Sequence, residues 1–349
     1  RNPKKSSWKK LTSVGRGGIV STLPKYPDNI IISGYPRNSR GTIESFSRVY
    51  YNYNIKTDRK KVITRESEKR ENIRFDEDAN PRFATGDEPA TDSTVYYYRE
   101  KDSTEWDIIY RRHRADWEEW QPQGWDPDNP NNILVLAHNG DDKKGLWSFD
   151  PKTKKYEELI YRRSDGDLIG TKSHSNIYTH GEDITAVAYY DGRELRYEWF
   201  NGEEKAIHDQ LKAIIPNADR LRIPSRSRDG TSMIISNTGP RDPGTFYMLK
   251  NGNLQVIGST KPGLSSEHLA DVEAITYEAR DGKKIRGFIT IPNSKPPYPL
   301  VVMPHGGPFV GENPDFFEWA QMLANRGFMV LQPQYRGSKL FGLDFYKTA

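Results

Sequence analysis

The chain has 349 residues, of which 34% are hydrophobic and 12% aromatic, with no cysteine and a formal net charge of +4 from 52 basic and 48 acidic side chains. That length allows two domains with separate cores; the lack of cysteine excludes disulfides and thiolate metal centres, and the lack of a long Lys/Arg block argues against a dedicated nucleic-acid surface. No apolar run reaches the roughly 18 residues of a membrane span, while 20 Tyr and 8 Trp suit β structure, whose pleated faces carry rings well.

The opening RNPKKSSWKK has neither an initiating Met nor the apolar core of a signal peptide. The closing FGLDFYKTA reads as the start of an element, so both ends are expected to be truncated. From the start to about residue 272 short β runs recur, each rich in Val, Ile, Tyr or Phe and each followed by a polar turn and a second, alternating run. LWSFDPKTKKYEELI shows the unit: Leu146 and Trp147, a turn at Asp150-Pro151-Lys152-Thr153, then Tyr156 and Leu159. YNYNIKTDRKKVI repeats it. Hairpins at about 40 to 50 residues per four-strand set are what propeller blades look like in sequence. About five blade-like sets are expected, fewer than a closed ring of up to eight; one or two β-sandwiches are the plainer alternative.

GEEKAIHDQLKAIIPNAD interrupts this rhythm, with Ile207, Leu211, Ile214 and Ile215 at helical spacing and Pro216 as the stop. It predicts a surface helix on which His208 is solvated. His174 and His180 lack flanking carboxylates at ligand spacing and read as ordinary loop histidines. The acid pairs Glu118-Glu119 and Glu157-Glu158 read as solvated faces, not as a glycosidase pair. No metal and no cofactor are expected.

After residue 272 the pattern changes. EAITYEARDGKKIRGFITIP is a hairpin, with Ile275, Tyr277 and Ala279 alternating on one strand, Ile285, Gly287 and Ile289 on the other, and Gly282 in the turn. PLVVMP, residues 299–304, is continuously apolar, as in a strand covered on both faces. A helix should follow, with Asn313 as cap, Pro314 in its first turn, a stripe of Phe316, Phe317, Ala320, Leu323 and Ala324, and Gly327 closing it. FMVLQP, residues 328–333, is a second buried strand, and two strands joined by one helix make a parallel crossover. Between the first strand and the helix stands HGGP, residues 305–308. Paired glycines there allow a sharp turn and leave a backbone N–H uncovered by any side chain. In α/β-hydrolases the equivalent loop supplies one donor of the oxyanion hole.

YEARDGKKIRGFITIP, PLVVMPHGGP, LANRGFMVLQPQYRGS and FGLDF stand in the order found in the prolyl oligopeptidase family of serine peptidases, and the chain resembles its acylaminoacyl-peptidase-like and dipeptidyl-aminopeptidase-like members. The resemblance is dense over residues 273–349 and looser over the β part, where it rests on hairpin rhythm and on SRSRDGTSMIIS. It implies a β-propeller over 1–272, incomplete at its N-terminus, and over 273–349 the start of an α/β-hydrolase catalytic domain, incomplete at its C-terminus. It further implies hydrolysis of short peptides by acyl transfer, releasing aminoacyl, dipeptidyl or acylaminoacyl units. By motif match Gly307 would be the oxyanion donor. His305, Gly306 and Pro308 would shape that loop, and Tyr335, Arg336, Gly337 and Ser338 would form a site-supporting loop. No Gly-x-Ser-x-Gly occurs in the chain, so the catalytic Ser, Asp and His are expected beyond Ala349 and the chain alone is expected to be inactive. A non-catalytic propeller protein with a vestigial hydrolase domain and an esterase are the alternatives. Self-association, or association with a C-terminal part, stays open, as does the compartment of what reads as a soluble protein, cytoplasmic or periplasmic.

Overall fold

The computed structural model describes residues 15–36, 38, 40, 42–181, 183–307 and 309–349. They form two compact units. One ends at Asp116 and takes in Pro151–Lys154; the other comprises Trp117–Asp150 and Lys155–Ala349.

The first unit carries two antiparallel four-stranded sheets. One is β1 (Gly15–Ser21), β2 (Asn29–Tyr35), β3 (Val49–Asn54) and β4 (Arg59–Arg65); the other is β5 (Glu71–Phe75), β6 (Pro81–Glu88), β7 (Ser93–Tyr98) and β8 (Asp107–His113). In each sheet the strands lie in chain order, because short turns can only return the chain beside the strand it has left. Leu23, Ile31 and Tyr50 from the first sheet meet Ile73, Phe75 and Ala84 from the second in one buried cluster. Tyr50 and Phe75 pack with ring centroids 5.2 Å apart. Each such aliphatic side chain taken fully out of water contributes about 1.5–3 kcal/mol before the entropy of ordering it is counted.

The second unit continues the same pattern. A four-stranded sheet holds β9 (Trp120–Trp125), β10 (Ile133–Ala137), β11 (Gly145–Asp150) and β12 (Lys155–Tyr161), a three-stranded one β13 (Gly170–Ser173), β14 (Ile184–Asp191) and β15 (Glu194–Trp199), and a further four-stranded one β16 (Arg220–Arg226), β17 (Ser232–Gly239), β18 (Asp242–Lys250) and β19 (Asn253–Ser259). The turn expected between Trp147 and Tyr156 is there, with Asp150 paired to Lys155 and Lys154 in the left-handed region. Leu134, Leu136 and Leu146 pack against Leu168, Ile184 and Val187. The fold is thus mainly β and built of successive antiparallel sheets, as the sequence rhythm predicts.

Two helices lie among these sheets: α1 (Ile177–His180) and α2 (Gly202–Ile214). The Asn201 side chain caps α2 by accepting from Glu204 N–H at 3.0 Å, and Pro216 follows its end. Leu211 and Ile215 are buried against Leu221 and Ile235, whereas Ile214 faces solvent. His208 is not solvated as expected. It lies between the Tyr197 and Trp199 rings, 5.1 and 5.3 Å from their centroids, and burial pushes its pKa down. The helix packs that flank on β15, a fact that spacing within the helix does not encode. His174 and His180 stack at 3.8 Å.

The last sheet is mixed. It runs β20 (Asp271–Glu278), β21 (Lys284–Ile291), β23 (Met329–Gln334), β22 (Leu300–Val302) in spatial order. The hairpin pairs Tyr277 with Ile285 and Ile275 with Gly287, and Gly282 turns it at φ +79°. β22 and β23 are parallel, Val301 opposite Val330, and α3 (Glu318–Ala324) makes the crossover between them; α4 (Leu343–Tyr346) follows β23. Two expectations fail here. β22 is an edge strand, and Leu300 and Val302 are each 55% exposed, so this apolar run is not covered on both faces. α3 begins at Glu318 with Phe317 as its cap, not at Asn313-Pro314. The intervening segment is held otherwise: Asp315 pairs with Arg220 at 2.9 Å, and its N–H reaches the Asn313 carbonyl at 2.9 Å. The far end is as predicted: Gly327 holds φ +87° and its N–H reaches the Ala324 carbonyl at 2.9 Å.

Candidate functional site

The segment after β22 leaves the sheet at Met303, whose N–H makes its last strand-like bond to the Leu331 carbonyl. His305 then folds over Tyr335, the residue that follows β23. Its ring stacks on Tyr335 at 4.3 Å with 23° between the planes, and the Tyr335 hydroxyl donates back to the His305 carbonyl at 2.7 Å. His305 Nε2 lies 2.8 Å from Ser338 Oγ, whose hydroxyl donates to the Tyr335 carbonyl at 2.6 Å, so a proton on Nε2 can be donated to the Ser338 oxygen while that bond is kept. His305 Nδ1 is 2.9 Å from the Gly306 carbonyl. Ser338 is fully buried. Three of the residues singled out in the sequence, His305, Tyr335 and Ser338, therefore form one bonded knot.

The other residues of these two loops are spread around that knot. Gly306 and Gly307 are exposed. Gly307 has φ +138°, a conformation that L side chains rarely adopt, and a Cβ there would meet Phe309 N and Val310 Cγ2 at 3.0 Å. Among the described residues no hydrogen bond engages the Gly307 N–H. Pro308 lies outside the described residues. Arg336 points away to Asp281, 2.6 Å from its Oδ1, and Gly337 turns the chain at φ +84°. An exposed amide without a competing acceptor, next to a rigid bonded loop, is a donor that an anionic oxygen can reach.

Several functional neighbours escaped the sequence reading. Beyond Pro308, Phe309 packs edge-on against Trp117 at 5.1 Å and Tyr346 at 5.5 Å. Gln334 clasps the segment by donating to the Glu312 carbonyl at 2.7 Å and accepting from its N–H at 2.9 Å. Burial pushes the Glu312 carboxyl up, against the smaller downward pull of His305. Glu119, read from sequence as solvated, is instead held between Lys144 Nζ at 2.6 Å and Lys339 Nζ. Burial alone would raise its carboxyl, but the two ammonium groups outweigh burial and hold it at about 2. Further along, Asp142 accepts from the N–H groups of Leu343 and Asp344 at 2.9 and 2.7 Å, through its carbonyl and carboxylate respectively. Lys143 Nζ donates to the Phe341 carbonyl at 2.7 Å. The loop from 335 to 346 is thus fastened to residues some 200 positions earlier. Only pairs close in sequence leave a readable spacing, which is why these contacts were missed.

The chain is similar to several known proteins. A dipeptidyl peptidase family member 6 from Caenorhabditis elegans is 23% identical over 326 residues, 84% of this chain and 43% of that protein. The dipeptidyl aminopeptidase BIII of Pseudoxanthomonas mexicana is 30% identical over 164 residues, 43% of this chain and 24% of that protein. A solved prolyl endopeptidase superposes with a TM-score of 0.59 at 12% identity, covering 95% of this chain and 48% of that one. No family model matches the chain. The chain spans less than half the length of each of these relatives.

Proposed function

We propose, from the premise that this chain belongs to the prolyl oligopeptidase family, that it is part of a serine-type peptidase hydrolysing short peptides by acyl transfer. In this reading residues 1–272 are propeller blades and 273–349 open an α/β-hydrolase domain. The spatial order β20-β21-β23-β22, with a single parallel pair joined through α3, supports the second part of the division. Gly307 gives its N–H to the carbonyl oxygen of the scissile bond as that oxygen becomes negative. His305, Gly306 and Pro308 set the loop, and the loop after β23, with Tyr335, Arg336, Gly337 and Ser338, supports it through the bonds of Tyr335 and Ser338 to His305. The observation that carries the reading is the amide of exposed Gly307, at positive φ and without a hydrogen-bond partner among the described residues, beside the His305–Tyr335–Ser338 knot.

The mechanism asks of this chain only electrostatic work. A carbonyl under attack places negative charge on its oxygen, and a preorganised N–H stabilises that charge more than it stabilises the neutral ground state. This reading puts the nucleophile and its base outside the 349 residues, in which no Gly-x-Ser-x-Gly occurs. We expect the chain alone to turn over neither aminoacyl-naphthylamides nor p-nitrophenyl esters, and to resist labelling by a fluorophosphonate. Labelling would reveal a nucleophile of its own. In a protein carrying this chain together with an elbow serine, Gly307→Val should lower kcat on peptides by about 10²-fold or more, because it displaces the donor. An unchanged kcat removes Gly307 from the reaction, and ester turnover without peptide turnover would replace the peptidase reading by an esterase.

A further inference from the structure

A cavity of about 630 Å³ opens beside the candidate loop, between the sheet of β13–β15, the first strand of the next sheet, and the segment that follows HGGP. Its charged lining is all of one sign: Lys172, Arg220, Arg222 and Lys339, with no carboxylate among the lining residues. Two of these cations are already paired, Arg220 with Asp315 and Lys339 with Glu119. The other two are not. Among the described residues neither Lys172 Nζ nor the Arg222 guanidinium forms an ion pair. Lys172 lies instead over aromatic rings, 5.2 Å from the centroid of Tyr197 and 5.9 Å from that of Trp199.

The nearest acid acting on Lys172 is Glu204, itself taken up by Ser175 at 2.7 Å and by Arg226. Burial pushes the Lys172 pKa down, the sign of an ammonium held out of water without a matching anion. The remaining acids of this region, Asp165, Asp167, Asp191 and Glu312, line a separate neighbouring cavity of about 240 Å³. The hydroxyl-bearing Tyr190 and Tyr197 and the loop residues Val310 and Gly311 complete the basic cavity. Val310 and Gly311 follow Gly307 closely in the chain, so a peptide held at Gly307 needs only a few residues to reach it.

We propose that this cavity binds a carboxylate of the peptide substrate, with Lys172 and Arg222 as its direct partners and Arg220 and Lys339 as supporting charges. The assignment rests on the peptidase reading for the identity of the ligand as a peptide, but the recognition itself needs only an anion of carboxylate shape. Guanidinium and ammonium groups that line one cavity without an acid favour such a group over a neutral amide. The carboxylate has two sources, the C-terminus of a short peptide or an acidic side chain.

Calorimetric titration of the 349-residue chain at low salt decides. The probes are trialanine, trialanine amide, and a tripeptide amide with a central glutamate. Trialanine, or the glutamate peptide, should bind about tenfold or more tighter than trialanine amide, and the preference should weaken as salt is raised. Binding of the glutamate peptide assigns a side-chain carboxylate; binding of trialanine alone assigns the terminus. Lys172→Met with Arg222→Gln should bring the preference close to unity. Arg222→Gln by itself, at an exposed position, should weaken it about threefold and keeps the test readable if the double variant does not fold. Equal binding of acid and amide, or no binding of any probe, overturns the proposal. Because the readout is binding by a chain without a nucleophile, that failure leaves the peptidase reading standing. A failure of peptide turnover in the protein with its elbow serine would sink the peptidase reading without touching the binding result.

Discussion

Single residues decide this site by what they lack as much as by what they carry. Gly307 has no side chain to strain: at its φ of +138° an added Cβ would be strained and would sit 3.0 Å from Phe309 N. Glu119 matters because it is charged where a charge is costly. Its carboxyl sits at about 2 in the fold against 4.5 ordinarily, since Lys144 and Lys339 outweigh burial. A depressed acid stabilises the fold fully above its unfolded pKa, and the gain, about 3 kcal/mol, disappears as pH falls from 4.5 towards 2. Glu119→Gln should therefore be less stable than the parent chain by about that amount at pH 7, and urea midpoints should show the gap shrinking by more than half at pH 3. A gap independent of pH would mean that packing, not charge, is what Glu119 provides. No local pattern points to this role, because the partners of Glu119 lie 25 and 220 positions away.

At the scale of elements, the placement of α3 governs where the HGG segment can go. The helix is short, and its intrinsic stability is small. It is fixed by Gln321, which is buried and makes three bonds to backbone: it accepts from Ala270 N–H at 2.8 Å and donates to the carbonyls of Pro240 and Ala270, both at 3.0 Å. Gln321→Leu keeps the volume and the helix propensity but leaves those backbone groups unpaired, so the second unit should lose about 2–3 kcal/mol. Urea unfolding followed by tryptophan fluorescence measures it; a loss below about 0.5 kcal/mol would show that the three bonds are replaced by water. The sequence placed Ala320, Leu323 and Ala324 on one apolar stripe, and Ala320 and Ala324 are indeed buried. It could not show that the polar Gln321 beside them is buried as well.

At the scale of the whole molecule the described residues divide into two compact units. Calorimetry should accordingly find unfolding that is not two-state, with a van't Hoff enthalpy below the calorimetric one, and Gln321→Leu should move the transition of the second unit alone. A single transition shifted as a whole would mean that the units unfold together. The sequence by itself determined the class of structure: strand, turn and strand at hairpin spacing gave the antiparallel sheets, and the apolar runs flanking one helical stripe gave the parallel pair of β22 and β23. It also singled out His305, beside a Gly-rich turn after an apolar run, while Tyr335 and Ser338 were picked out by the family resemblance of the loop after the next run. Only the tertiary structure decided that these three are bonded to one another, that β22 is an exposed edge, that α3 starts at Glu318 and not at Asn313-Pro314 while Asp315 pairs with Arg220, and that Lys172 and Arg222 share a cavity without an acid. Periodicity reports which face of an element is apolar; which distant charge meets that element depends on how the chain returns, and no short stretch of sequence contains that.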